Sequence, residues 1–120
     1  MPVTNALAGV AVSDLFKSIP WYSRLLDREP DAQPMAEVAE WKFEKGGWIQ
    51  IFKDKDRAGS SSVTLVVDNL DERLADLKEK RISILHVADS KLVKTAIIAD
   101  PDGNQIVFAQ SKTSENRAAA

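Results

Sequence analysis

The feature that most constrains this chain is an internal repeat. The segment Leu7-Ala-Gly-Val-Ala-Val-Ser-Asp-Leu15 reappears in pattern as Ser62-Val-Thr-Leu-Val-Val-Asp-Asn-Leu70, in register and 55 residues on. Each copy runs from an extended apolar stretch into a Ser, Asp or Asn helix-starting signal and then a leucine, so the chain is read as two similar half-modules. In the second, Leu70, Leu74 and Leu77 fall on one helical stripe, and Asn69 followed by Glu72 has the form of a capping box. The first stripe, Ile19, Tyr22, Leu25 and Leu26, is interrupted by Pro20, which a helix accepts in its first turn. A short helix from near Ser18 to about Asp27 is therefore expected.

Each module then reads as a hairpin. Glu37 to Lys45 and Trp48 to Lys53 flank Gly46-Gly47, taken as a two-residue turn. Lys91 to Ala99 and Asn104 to Gln110 flank Asp100-Pro101-Asp102-Gly103, with proline suited to the second turn position and glycine free to go left-handed. The two turns lie about 57 residues apart. Ile82 to Val87 reads as a further strand, and Glu29 to Met35, with two prolines, as irregular. The expectation is a single α+β domain over residues 1–110, with module 1 at about 5–54, module 2 at about 61–110, and a flexible polar tail over 111–120.

Composition removes several classes of function. The chain of 120 residues carries 16 basic and 18 acidic side chains and a formal net charge of −2, so it offers no broad basic surface for phosphates and no nucleic-acid partner is expected. It has no cysteine, which excludes disulfides, thiolate metal sites and cysteine nucleophiles. Its first residues lack a basic leader, and the apolar run from Ala6 to Val12 is too short to span a bilayer. A cytoplasmic location without a membrane partner is expected. With one histidine, a Ser-His-Asp arrangement has little support.

Leu7-Ala-Gly-Val-Ala-Val-Ser-Asp-Leu15, Trp21-Tyr22 with Leu25-Leu26, and Asp100-Pro-Asp-Gly-Asn-Gln-Ile106 together resemble the vicinal-oxygen-chelate superfamily of glyoxalases, bleomycin-resistance proteins and extradiol dioxygenases. The resemblance spans roughly residues 5 to 110. It implies two tandem βαβββ modules forming a cupped mixed sheet around a cavity, often completed by homodimerisation. Metal-binding members take ligands from the first and last strand of each module. Aligned on the turns, those positions here are Leu7, Ser62, Gln50 and Val107, and such a set offers a cation almost nothing. A metal-free variant with no cofactor is expected. His86 falls off all four positions and is read as structural or superficial. Glu40 and Glu44, at i, i+4 spacing with Lys42 between them, are read as a solvated strand edge.

If Gly46-Gly47 closes a two-residue loop, Lys45 pairs with Trp48, Phe43 with Gln50 and Trp41 with Phe52. Trp41, Phe43, Trp48, Gln50 and Phe52 then share one face, and Ile49 and Ile51 share the other with Lys42 and Glu44. Since Gln50 holds a position that the resemblance directs inward, this aromatic face is expected to contact a ligand, although core packing or a dimer contact would explain it equally. From module 2, Ser62, Thr64, Val66, Gln105, Val107 and Ala109 are expected on the ligand side, and Val63, Leu65, Val67, Ile106 and Phe108 on the helix side. The ligand-binding residues expected are thus Trp41, Phe43, Trp48, Gln50, Phe52, Ser62, Thr64 and Val107, with no catalytic residue. The function expected is stoichiometric binding of an aromatic, hydrophobic or cationic small molecule. The alternatives are an atypical, cofactor-free lyase, isomerase or dioxygenase-like enzyme in which Gln50, Tyr22 or a carboxylate polarises the substrate, and a protein-interaction or dimerisation module.

Overall fold

A computed structural model describes residues 2–112. The chain divides into two units, one running to Val63 and including Asp100–Asn104, the other comprising Thr64–Ala99 and the chain from Gln105 onward. The first unit holds β1 (Leu7–Val12), α1 (Leu15–Leu26), β2 (Ala32–Met35), β3 (Val38–Lys42) and β4 (Trp48–Lys53), with strand order β1-β4-β3-β2. β1 runs parallel to β4, and the rest of the sheet is antiparallel. The second set repeats the plan: β5 (Ser62–Val66), α2 (Leu70–Glu79), β6 (His86–Asp89), β7 (Val93–Ala99) and β8 (Gln105–Ser111), in the order β5-β8-β7-β6. The expected α+β architecture of two βαβββ modules is the one observed.

Both helices form for local reasons. At α2 the Asn69 side chain accepts the Glu72 backbone N–H at 3.1 Å, as the capping spacing requires. Leu70 and Leu77 are buried against the sheet and Leu74 is half-buried. α1 begins at Leu15, three residues earlier than expected, because the Asp14 carboxylate accepts the Phe16 N–H at 2.9 Å. Pro20 consequently sits inside the helix rather than in its first turn. Its missing N–H deprives the Phe16 carbonyl of a partner, and both residues are exposed, so water can replace that bond. The helix ends at Asp27, whose φ of 60° is left-handed.

Each helix covers one face of its own sheet. α1 lies against β4, over Val10, Val12, Trp41, Ile49 and Ile51, with Tyr22 and Leu25 as its fully buried side chains. α2 lies against β7 and β8, over Ala96, Ile98, Ile106 and Phe108. Burial of each large aliphatic or aromatic side chain contributes roughly 1.5–3 kcal/mol.

Three further boundaries differ from the expectation. The stretch 29–35 is not wholly irregular: β2 pairs with β3, with a register break between Ala32 and Met35 that accommodates Pro34 at the sheet edge. β6 starts at His86, after the left-handed Arg81 and the buried Ile82 have turned the chain. β8 continues through Ser111, and the Lys112 N–H donates to Leu92 O at 2.8 Å, so these two residues belong to the hairpin rather than to a tail. Positions 113–120, on which the rest of that tail expectation falls, lie outside the described residues.

The first hairpin requires a correction with consequences for the site. Gly46-Gly47 is not a two-residue turn. The Phe43 N–H donates to Gly47 O at 2.8 Å and the Gly46 N–H donates to Phe43 O at 3.0 Å, which makes a three-residue connection with Gly46 left-handed at φ 107°. The second hairpin closes in the same way: Asp100 N–H to Asn104 O, Gly103 N–H to Asp100 O, and Gly103 left-handed. The two modules thus share one turn geometry, with equivalent glycines at 46 and 103.

Candidate functional site

The hairpin geometry sets the phase of β3 against β4. Observed partners are Lys42 with Trp48, Trp41 with Ile49, Glu40 with Gln50, Ala39 with Ile51 and Val38 with Phe52. Because side chains alternate between faces, one residue of slip exchanges the whole of β3. Trp41 is therefore on the helix side with Ile49 and Ile51, not beside Gln50. It is fully buried, its ring centroid lies 6.0 Å from that of Tyr22, and its Nε1–H donates to Arg28 O at 3.0 Å. Phe43 is half-buried and closes the turn just beyond the end of β3, away from the Gln50 row. Lys42 leaves the helix side, where it was expected, and Glu44 is exposed in the loop.

The face away from α1 carries three rows, each reading from β3 through β4 to β1: Lys42, Trp48 and Leu7; Glu40, Gln50 and Gly9; Val38, Phe52 and Ala11. Trp48, Gln50 and Phe52 are half-buried, as alternating β4 residues on an open surface should be. The Lys42 ammonium sits 4.5 Å from the Trp48 ring centroid, and the Arg57 guanidinium 5.4 Å from that of Phe52. Between them the Gln50 amide donates to Glu40 Oε2 at 2.7 Å. Gly9 leaves room for the Phe52 ring, since a Cβ there would lie 3.3 Å from Phe52 Cε1.

Glu40 is the residue that sequence reasoning misplaced. It is 8% exposed on an inner strand, not a solvated edge. The signal was present in the repeat: aligning Gly46 with Gly103 gives the observed turn and puts Glu40 opposite Gln50.

In the second sheet the expected alternation holds. Val63, Leu65, Ile106 and Phe108 are buried, whereas Ser62, Thr64, Val66 and Gln105 are exposed and Val107 and Ala109 half-buried. His86 pairs with Ile97, which pairs with Val107, so these three share the open face of that sheet, and His86 is exposed.

The positions that a metal would occupy in the resembled superfamily do not suit one here. Leu7 and Val107 have no donor atom, Ser62 offers a neutral hydroxyl, and Gln50, whose Nε2–H donates to Glu40, offers one neutral carbonyl oxygen. Among the described residues no three His, Cys, Asp or Glu side chains come together as a metal cluster.

A separate polar network lies within the first unit, around the turn Asp100–Asn104. Tyr22 OH donates to Asp100 Oδ2 at 2.8 Å, and Asn104 Nδ2 donates both to the same oxygen and to Ala11 O, each at 2.8 Å. Asn104 Oδ1 accepts the N–H groups of Gly59 and Ser61 at 3.0 and 2.9 Å. Asp102 receives both the backbone N–H and the hydroxyl of Ser13. Burial, and then the negative charge of Asp100 and the hydrogen bond to it, hold the Tyr22 hydroxyl well above the usual phenol range. Tyr22 is fully buried on the helix side of the sheet, so it is a structural donor and does not reach the open face.

The family model of the Glyoxalase/Bleomycin resistance protein/Dioxygenase superfamily matches residues 5–108. No curated protein matches the chain. Among solved structures, a glyoxalase/bleomycin resistance protein from Catenulispora acidiphila DSM 44928 is 32% identical, with 90% of this chain and 98% of that one covered at a TM-score of 0.82. Two from Streptomyces sp. CB03234 share the fold. The antibiotic binding protein TnmS3 is 22% identical over 93% of this chain and 99% of its own, with a TM-score of 0.81. A glyoxalase/bleomycin resistance protein is 24% identical over 89% and 100%, with a TM-score of 0.76. Among the described residues no helix is long and apolar enough to cross a membrane. With the repeat, the strand order and the matched residues in agreement, this chain belongs to the Glyoxalase/Bleomycin resistance protein/Dioxygenase superfamily.

Proposed function

We propose that this protein binds a small organic molecule, without a resident metal, on the open face of its first sheet. The observation that carries the reading is the row Trp48, Gln50 and Phe52: two half-buried rings bracket an amide on one strand face, the arrangement that stacks a planar guest and orients it. Support for a metal-free mode comes from the donors: one neutral amide oxygen, a hydroxyl and two aliphatic side chains. TnmS3, which shares the fold, is described as an antibiotic binding protein, in keeping with a role in capture. Trp41 and Phe43 leave the proposed contact set, since one is core and the other closes the turn beyond the end of β3. Ser62, Thr64 and Val107 remain candidates on the open face of the second sheet.

Titration with a panel of aromatic compounds, followed by tryptophan fluorescence and by the indole N–H resonances of Trp21, Trp41 and Trp48, tests this reading. A binder should perturb Trp48 and leave the buried Trp41 unchanged, and Trp48→Ala should weaken binding about tenfold or more, the scale of one lost stacking partner. Affinity unaffected by Trp48→Ala would refute the reading. Sedimentation or size-exclusion measurements at graded concentrations test the homodimer that the superfamily resemblance implies.

A further inference from the structure

The middle row of this face has an electrostatic peculiarity. Glu40 is almost wholly withdrawn from solvent, yet among the described residues its carboxylate has one polar contact, the amide of Gln50. The nearest cation along the strand, Lys42, lies two residues away on the same face, about 7 Å by strand geometry. Its ammonium rests over Trp48 rather than on the carboxylate. On the other side of the row, the Arg57 guanidinium rests over Phe52. Both rings that flank Glu40 therefore receive a cation on their faces, while the carboxylate between them receives none. A carboxylate withdrawn from solvent and bonded to a neutral amide alone has room for a cationic partner, and such a pairing is strongest in a water-poor setting.

We propose that Glu40 is the specificity-determining anion of this face, and that the guest is a planar organic cation whose charged end pairs with Glu40 as its ring displaces Lys42 from Trp48. This inference rests on the open face being a binding surface, and it deepens that reading by naming the chemical class of guest. Lys42 acts as an internal competitor. It occupies the ring while the site is empty and repels a cationic guest, so it sets a threshold that only a guest able to pair with Glu40 overcomes. Gln50 holds the carboxylate in place from the opposite strand, and its amide cannot neutralise the charge.

The test uses a matched pair of probes, naphthalene-2-carboxamidine and the neutral naphthalene-2-carboxamide, which have nearly the same shape and differ in charge. Isothermal titration gives the two affinities, and the Trp48 indole resonance reports the place of binding. The amidine should bind about tenfold tighter than the amide, the scale of one charge-assisted contact. Glu40→Gln should bring that ratio close to one, chiefly by weakening the amidine. Lys42→Met should widen the ratio, because both compounds gain the freed ring and the cation gains the relief of repulsion in addition. If both compounds shift Trp48 with equal affinity in the unaltered protein, the inference fails and the binding-face reading survives. If neither shifts Trp48, both fail. Should Glu40→Gln prove unfolded by its thermal transition, Lys42→Met decides: an unchanged ratio overturns the role of Glu40 and Lys42 together.

Discussion

The hydroxyl of Tyr22 on α1 donates at 2.8 Å to Asp100, a residue 78 positions later in the chain, and both are buried. The same Asp100 accepts from the backbone N–H of Asp102 and of Asn104 through its other oxygen. One carboxylate thus joins the first helix of the fold to its last turn. That is why the Asp-Pro-Asp-Gly-Asn segment belongs to the first unit, while the strands on either side of it belong to the second.

An alkaline limit to stability follows from Tyr22. Its folded-state pKa is raised above the ordinary value of about 10, so its contribution is complete below that pH and is lost as pH rises beyond it. Thermal unfolding of the native sequence should shift downward from near pH 10 upward, whereas Tyr22→Phe should show a flatter profile there. At neutral pH the same variant should lose about 1–3 kcal/mol, since Asp100 loses a buried donor. Tyr22 is the one tyrosine in the chain, so tyrosinate absorbance reports it directly and should rise only with unfolding.

Asn104→Ala should cost more than Tyr22→Phe. Four hydrogen bonds to the buried Asn104 side chain disappear together, stranding Ala11 O and the N–H groups of Gly59 and Ser61. A loss of about 3 kcal/mol or more is expected in urea unfolding, because each buried group left without a partner costs about 1–3 kcal/mol. Midpoints within half of that figure would show that water replaces the amide.

Gly59→Ala should be severe where Gly47→Ala is mild. Gly59 has a φ of 92°, and a Cβ there would lie 2.6 Å from the carbonyl oxygen of Asp102, a backbone atom with little freedom to yield. Strain plus displacement should cost about 2–4 kcal/mol. Gly47 has ordinary backbone angles and nothing within 4 Å of a Cβ, so its variant should unfold within about 0.5 kcal/mol of the native protein. Parallel thermal melts compare the two directly.

Gly9→Ala separates stability from binding. The new methyl would press on Phe52 at 3.3 Å, a contact that a small ring movement relieves, so stability should change by less than about 1 kcal/mol. The ring shift should disturb the Phe52–Arg57 pair and weaken guest binding, visible as a loss of affinity without a matching loss of melting temperature.

Local chemistry carried much of the fold into the sequence. Asn69 and Glu72 announced α2, Asp100 to Gly103 announced the second hairpin, and the alternation from Ser62 to Val66 separated the buried from the open side of β5, because each of these signals depends on neighbours a few residues apart. The 55-residue repeat supplied the order of elements for the same reason. Pro20 misled about α1 because a proline rule is a local rule, and the Asp14 cap with an exposed Phe16 carbonyl outweighed it.

The candidate site depended on something that the sequence does not hold locally, the phase of one strand against another. Trp41 and Glu40 are adjacent, and a single residue of register decides which of them enters the core and which faces the open side of the sheet. The sequence by itself determined that β4 places Trp48, Gln50 and Phe52 on one face, since alternation is a property of the strand alone. Tertiary structure decided that β3 answers them with Lys42, Glu40 and Val38, because the hydrogen bonds from Phe43 N–H to Gly47 O and from Gly46 N–H to Phe43 O set the pairing and the volume of Trp41 fits beneath α1 against Tyr22.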